Sequence, residues 1–155
     1  VSTPATVALR AAGIPFTERA YHHDPAVTDF GREAAEALGV EADRVFKTLL
    51  AEVDGRLVVG IVPVTGKLDL KALAAAVGGK RAVMADPALA ERRTGYVVGG
   101  ISPIGQKTAH PTVLDETAEL WDTVLVSGGR RGLDLELAPA DLVRATSATL
   151  ADIAR

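Results

Sequence analysis

The sequence predicts a mixed α/β fold, one domain over residues 1–155 with a largely antiparallel, curled sheet flanked by helices. Three observations carry this. Two β-rich runs, Val45–Val53 and Leu57–Val64, flank Asp54-Gly55, a dipeptide that favours the tight turn of a hairpin. Helical segments with clear starts and stops are interspersed among the strands without the strict strand–helix alternation of a parallel sheet. Hydrophobic residues make up 48% of 155 residues, enough for one core.

In order along the chain, Thr3-Pro4 is an N-cap followed by proline at the first helical position, and Gly13 stops that helix. Phe16 to Tyr21 forms a short strand. Thr28 or Asp29 caps a second helix that points Ala34, Ala35 and Leu38 inward and ends at Gly39. Ala42 to Arg44 is one helical turn before the hairpin. Asp69 caps a helix over Leu70 to Val77, closed by Gly78-Gly79. Arg81 to Ala85 is a strand, and Asp86-Pro87 opens a helix ending near Arg93. Thr112 to Asp115 and Thr123 to Ser127 are strands, and Gly128-Gly129 is expected to turn the chain. Leu133, Leu135 and Leu137 alternate with Asp134 and Glu136, the pattern of a half-buried strand, and Pro139 to Ala145 is the last helix.

Composition removes several function classes. With no cysteine there is no disulfide framework, thiolate metal site or protein thiol nucleophile. No apolar run reaches the roughly 20 residues of a membrane helix, and Val1-Ser2-Thr3-Pro4 carries no secretory pattern, so a cytoplasmic protein without membrane contact is expected. The net charge of −3 argues against extensive phosphate contact, although basic residues do cluster locally. Aromatics are 4% of the chain, too few for base-stacking platforms of the usual kind.

The segment Gly95-Tyr96-Val97-Val98-Gly99-Gly100-Ile101-Ser102-Pro103-Ile104-Gly105 stands out. Glycines, a proline and one small hydroxyl interrupt an apolar run, which disfavours a helix. Two readings remain: a bulged hairpin, or a turn presenting consecutive N–H groups to a developing negative charge. Lys47 lies in an apolar strand that does not alternate cleanly, so it points either outward or into an anion site. His22 and His23 would face opposite sides of a strand, so a shared metal ion is not expected. Gly60 to Lys67 lacks P-loop spacing, and neither Ser102 nor Ser127 sits in a nucleophile elbow. Ser127-Gly128-Gly129-Arg130-Arg131-Gly132 is a second glycine-rich turn that either closes a hairpin or covers a phosphate-bearing ligand.

Six blocks occur in order: Tyr21-x-His23-Asp24-Pro25, Phe30-Gly31, Phe46-Lys47-Thr48-Leu49, Leu68-Asp69-Leu70-Lys71, Thr94-Gly95-Tyr96-Val97-Val98-Gly99-Gly100-Ile101-Ser102-Pro103 and Ser127-Gly128-Gly129-x-Arg131-Gly132-Leu133-Asp134. Together they resemble the YbaK family, bacterial trans-editing proteins that deacylate Cys-tRNA(Pro) and are related to the insertion editing domain of bacterial prolyl-tRNA synthetases. The resemblance implies a partly closed, mostly antiparallel sheet and no cofactor. It implies that Lys47 holds the acceptor end of the tRNA and that the Gly100-Ile101-Ser102 backbone surrounds the ester carbonyl. Tyr21 and Phe30 would shape the pocket, Thr48 and Ser127 would supply hydroxyls, and Asp134 would orient the substrate's ammonium. In that family the substrate's own thiol is thought to attack its carbonyl, and prolyl-tRNA synthetase is implied as a partner in a ternary complex. Lys67, Lys71, Arg130 and Arg131 are the expected acceptor-stem patch. Two other readings stay open: editing of Ala-tRNA(Pro) or another small aminoacyl group, and a non-catalytic module that binds the tRNA end.

Overall fold

A computed structural model describes residues 2–155. Helix α1 (Pro4–Ala12) is capped by Thr3, whose hydroxyl accepts from the Thr6 N–H at 3.2 Å, and closes at Gly13 with φ 67°. Strand β1 (Thr17–Ala20) precedes α2 (Phe30–Leu38), capped by Asp29. The hairpin is β2 (Phe46–Val53) and β3 (Arg56–Pro63), turning through Asp54 and Gly55 with φ of 49° and 83°. Both values lie in the left-handed region that an Asp-Gly turn suits. Helix α3 (Leu70–Ala76), strand β4 (Ala82–Met84) and α4 (Pro87–Thr94) lead to an irregular stretch. The chain ends with β5 (Thr112–Asp115), β6 (Val124–Arg130), β7 (Leu133–Leu137), α5 (Pro139–Thr146) and β8 (Thr149–Ala151).

The strands form two sheets, ordered β1-β7-β6 and β4-β2-β3-β5-β8. Four pairings are antiparallel and two, β3 with β5 and β5 with β8, are parallel. A parallel bridge between Val45 and Leu125 joins one sheet to the other. The main core lies between them, with Leu50, Ile61, Leu114, Val126, Leu135 and Leu142 at its centre. A second cluster packs α3 on the far face of the larger sheet through Val58, Val62 and Leu73. Strand β3 is therefore buried on both faces, which is why it is a continuous apolar run rather than an alternating one.

Two expectations are corrected. Gly128-Gly129 is not the turn. Strand β6 continues to Arg130 through a bulge between Ser127 and Arg130, and the chain reverses at Arg131-Gly132. The cause is tertiary: the Thr3 hydroxyl donates to the Gly128 carbonyl at 2.6 Å, so the glycines admit the start of α1 against the strand. The hairpin reading of Gly95–Gly105 also fails, because no strand forms between Gly95 and His110. Strand β8 was not visible in the sequence. It holds its place partly through Asp115, a 1% exposed carboxylate that accepts from the Ile153 and Ala154 N–H groups at 2.9 and 3.0 Å.

Candidate functional site

Strand β4 pairs only with Ala51–Val53 of β2. The other edge of β2, from Phe46 to Leu49, therefore has no strand hydrogen-bonded to it, although β3 covers its first edge along the whole length. A cleft of about 350 Å³ opens along this bare stretch. The start of α2 supplies one wall through Asp29, Phe30 and Gly31. The irregular segment supplies another through Val98, Gly99 and Ile101, and β6 and β7 close the floor with Ser127 and Asp134. The open edge explains how Lys47 and Thr48, adjacent and of opposite parity, both line the cleft.

The electrostatics are asymmetric. Asp134, 5% exposed, sits directly across the ladder from Ser127. Burial pushes its carboxyl up from 3.8 to about 7, and it has no hydrogen bond or ion pair among the described residues. Burial also raises the Tyr21 phenol to about 12, with the charge of Asp134 adding to the effect, so the hydroxyl stays protonated and able to donate. Lys47 is half-buried. Burial pulls its ammonium below the ordinary lysine value, Arg32 and Lys67 add to that, and Asp29 opposes it. The Thr48 hydroxyl is buried without a partner. The cleft is thus lined by a cation, an unpaired carboxyl, a free hydroxyl and apolar side chains. A small ligand carrying an ammonium and a polarised carbonyl would satisfy all of them.

Of the residues expected at the site, Lys47, Ile101, Tyr21, Phe30, Thr48, Ser127 and Asp134 converge on the cleft. Gly100 and Ser102 do not line it. The Gly100 N–H donates to the Val97 carbonyl at 2.9 Å, so it is not available to a substrate oxygen. Its role is close packing: a Cβ there would fall 2.7 Å from Arg130 Cα and 2.8 Å from the Arg130 carbonyl carbon. Gly100→Ala must displace backbone, and is expected to cost about 1–3 kcal/mol of stability together with part of any activity of the site. A thermal melt compared with turnover checks this; unchanged values in both would contradict the packing. Ser102 is fully buried, its hydroxyl accepting from the Ile104 N–H at 3.2 Å and its carbonyl from the Gln106 amide at 3.0 Å. It shapes the loop from behind and is not a nucleophile in the cleft. Gly99 and Ile101 line the cleft, and their N–H groups donate to no acceptor among the described residues, which leaves them free for a ligand oxygen.

The four basic residues come from three different elements of the fold. Lys67 lies close enough to Lys47 to depress it, Lys71 is exposed on the first turn of α3, and Arg130 and Arg131 are on the β6–β7 turn. Arg131 is bound to the Val98 carbonyl. Arg32 was not foreseen: a surface arginine in a helix carries no local signal, and only the fold brings it beside Lys47. His23 is engaged by Glu33 at 2.6 Å, and among the described residues no group of His, Asp and Glu is placed to hold a metal ion. Among the described residues no histidine lines the cleft.

The model of the aminoacyl-tRNA editing domain matches residues 24–145. The chain belongs to the aminoacyl-tRNA editing domain family. Among curated relatives, EbsC of Enterococcus faecalis, named as a candidate Cys-tRNA(Pro)/Cys-tRNA(Cys) deacylase, is 43% identical over 121 residues, 77% of this chain and 73% of EbsC. A stretch of 100 residues, 64% of this chain, is 34% identical to the proline–tRNA ligase of Maridesulfovibrio salexigens and covers 17% of that enzyme. A crystal structure described as a candidate trans-editing enzyme for prolyl tRNA synthetase superposes with a TM-score of 0.87 at 28% identity, covering 100% of this chain and 99% of the other. The editing-domain fold is thus the mixed, mostly antiparallel α/β arrangement the sequence predicts, built from two open sheets rather than the one partly closed sheet expected. Among the described residues no helix is long and apolar enough to cross a membrane.

Proposed function

We propose that this editing domain deacylates mischarged Cys-tRNA(Pro) in trans, gripping the acceptor end of the tRNA. The observation that carries the reading is that the buried, unpaired Asp134 carboxyl and the half-buried Lys47 ammonium line the same small cleft. In this reading Asp134 receives the substrate's ammonium, and Lys47 holds the terminal phosphate or ester end. Tyr21 and Phe30 shape the pocket, and Thr48 and Ser127 supply hydroxyls. The Ile101 backbone faces the ester carbonyl, Ser102 shapes the loop from behind, and Gly100 keeps that backbone close to the β6–β7 turn.

Among the described residues no histidine lines the cleft, so Ser127 has no imidazole to activate it. The reaction fits a nucleophile that the substrate brings. The cysteine sulfur attacks its own carbonyl, a C–S bond forms, the bond between the acyl carbon and the ribose oxygen breaks, and the thiol proton passes to that oxygen, leaving a thiolactone and free tRNA with its terminal hydroxyl restored. Holding the thiol beside the carbonyl makes the step intramolecular, worth up to about 7–11 kcal/mol of the barrier. A small pocket rejects alanine or serine weakly by size, since one methylene is worth roughly 1–3 kcal/mol, whereas the demand for a thiol excludes both chemically. Selection of the tRNA is assigned to prolyl-tRNA synthetase in a ternary complex, consistent with a chain of net charge −3 that offers only a few cations near the cleft.

The test is deacylation of Cys-tRNA(Pro) and Ala-tRNA(Pro) side by side, with and without prolyl-tRNA synthetase, the released product being identified by mass spectrometry. Loss of cysteine as a thiolactone is expected. Equal turnover of alanyl esters would replace the thiol mechanism with editing of small aminoacyl groups, and no turnover of either would leave a tRNA-end binding module.

A further inference from the structure

We infer that Arg131 is a positioning residue that latches the irregular loop onto the cleft, rather than a phosphate ligand; the catalytic part of this inference rests on the deacylase reading above. Arg131 Nε and one terminal nitrogen donate to the Val98 carbonyl at 2.9 and 2.7 Å. The same guanidinium lies over the Phe30 ring, 4.9 Å from its centroid. Gly99 is pressed into the angle between them: a Cβ there would lie 2.8 Å from the Phe30 ring and 2.9 Å from Arg131 Nε.

One side chain therefore ties together three segments that are distant in sequence. Phe30 begins α2, Val98-Gly99 leads into Ile101, and Arg131 sits three residues before Asp134. Phe30, Val98, Gly99, Ile101 and Asp134 all line the cleft. The loop has no sheet or helix to fix it. Apart from the latch, the Val97–Gly100 stretch is held by the Gly100 N–H to Val97 and by the Val98 N–H to the Glu91 carboxylate at 2.8 Å. Arginine suits the task because its planar fork reaches one carbonyl twice while its face stacks on an aromatic ring. Lysine has the charge but neither the fork nor the plane. A guanidinium already occupied on two nitrogens and one face is poorly free to close on a phosphate, which separates this role from the one its place beside Arg130 suggests in the sequence.

The decisive variant is Arg131→Lys, with the chain otherwise intact. Two substrates are compared, Cys-tRNA(Pro) and 3′-cysteinyl-adenosine, which has no phosphate, at salt from about 50 to about 200 mM. A latch predicts that kcat/KM falls about tenfold, equivalent to roughly 1.4 kcal/mol, on both substrates, with the salt slope for the tRNA unchanged. It also predicts faster amide hydrogen exchange across residues 97–102. A loss confined to the tRNA with a shallower salt slope would assign Arg131 to phosphate, and unchanged rates with unchanged exchange would remove it from the site. The exchange measurement needs no activity, so a wild type inactive on both substrates would sink the deacylase reading while the latch is still decided. Arg131→Gln, at this exposed position, provides the same comparison should the lysine variant melt early.

Discussion

Replacing Lys47 by Ala is expected to lower kcat/KM for Cys-tRNA(Pro) by about a hundredfold or more, the usual scale for removing a charged donor from a reacting oxygen or its anchoring phosphate. Lys47 is the only lysine lining the cleft among the described residues. It is also held there at a cost: burial and the neighbouring Arg32 and Lys67 weaken its proton, and only Asp29 favours the charge. An ammonium kept in such surroundings without an acceptor gains its compensation when an anionic or strongly polar ligand arrives. The depressed pKa adds a second readout. As pH rises through that lowered value the ammonium loses its proton, so activity should decline on the alkaline side earlier than for an ordinary lysine, and the decline should vanish in Lys47→Ala. Lys47→Arg is not expected to restore activity, because a broad fork does not fit where a single point charge approaches along the bare edge of β2. Wild-type turnover in Lys47→Ala, measured by release of cysteine from the tRNA, would contradict the assignment.

What was legible in the sequence was local. The Asp54-Gly55 hairpin, the Thr3, Asp29 and Asp69 caps and the stops at Gly13 and Gly39 are fixed by residues within one turn of each other, and all appear as expected. What escaped depends on contacts across the fold. Gly128-Gly129 resembles a turn until Thr3 is placed on it. The glycine-rich loop resembles a hairpin because its stabilising partners, Arg131 and Glu91, lie outside it. Strand β8 is three residues long and exists only because β5 offers an edge. The cleft itself comes from a missing pairing, the edge of β2 that β4 does not reach, and no sequence pattern announces an absence. The motif blocks named most of its lining residues, Val98 among them, yet Arg32, beside Lys47, lay outside every block and entered through topology alone.

Asp134→Asn is expected to move stability and activity in opposite directions. In the folded chain burial raises this carboxyl from 3.8 to about 7. Between about pH 4 and pH 7 the native state therefore keeps a proton that the unfolded chain has already released, and stability must fall as pH rises through that window, then level off above it. About three pKa units correspond to an ionisation penalty on the order of 4 kcal/mol near pH 8. Asparagine nearly matches the shape and carries no titrating proton, so the variant should lose this slope and melt higher than the wild type at pH 8, with a much smaller difference near pH 4. Its activity should drop about 10–100-fold, because the substrate's ammonium then enters a buried site without its counter-charge. The wild type keeps this destabilising carboxyl for the moment of binding: an ammonium beside Asp134 would favour ionisation and turn the penalty into recognition, so substrate analogues bearing an amine should raise the melting temperature at pH 8 more than analogues lacking it. A variant that is less stable than the wild type at pH 8 would show that the carboxylate already has a stabilising partner, and would remove Asp134 as the ammonium site.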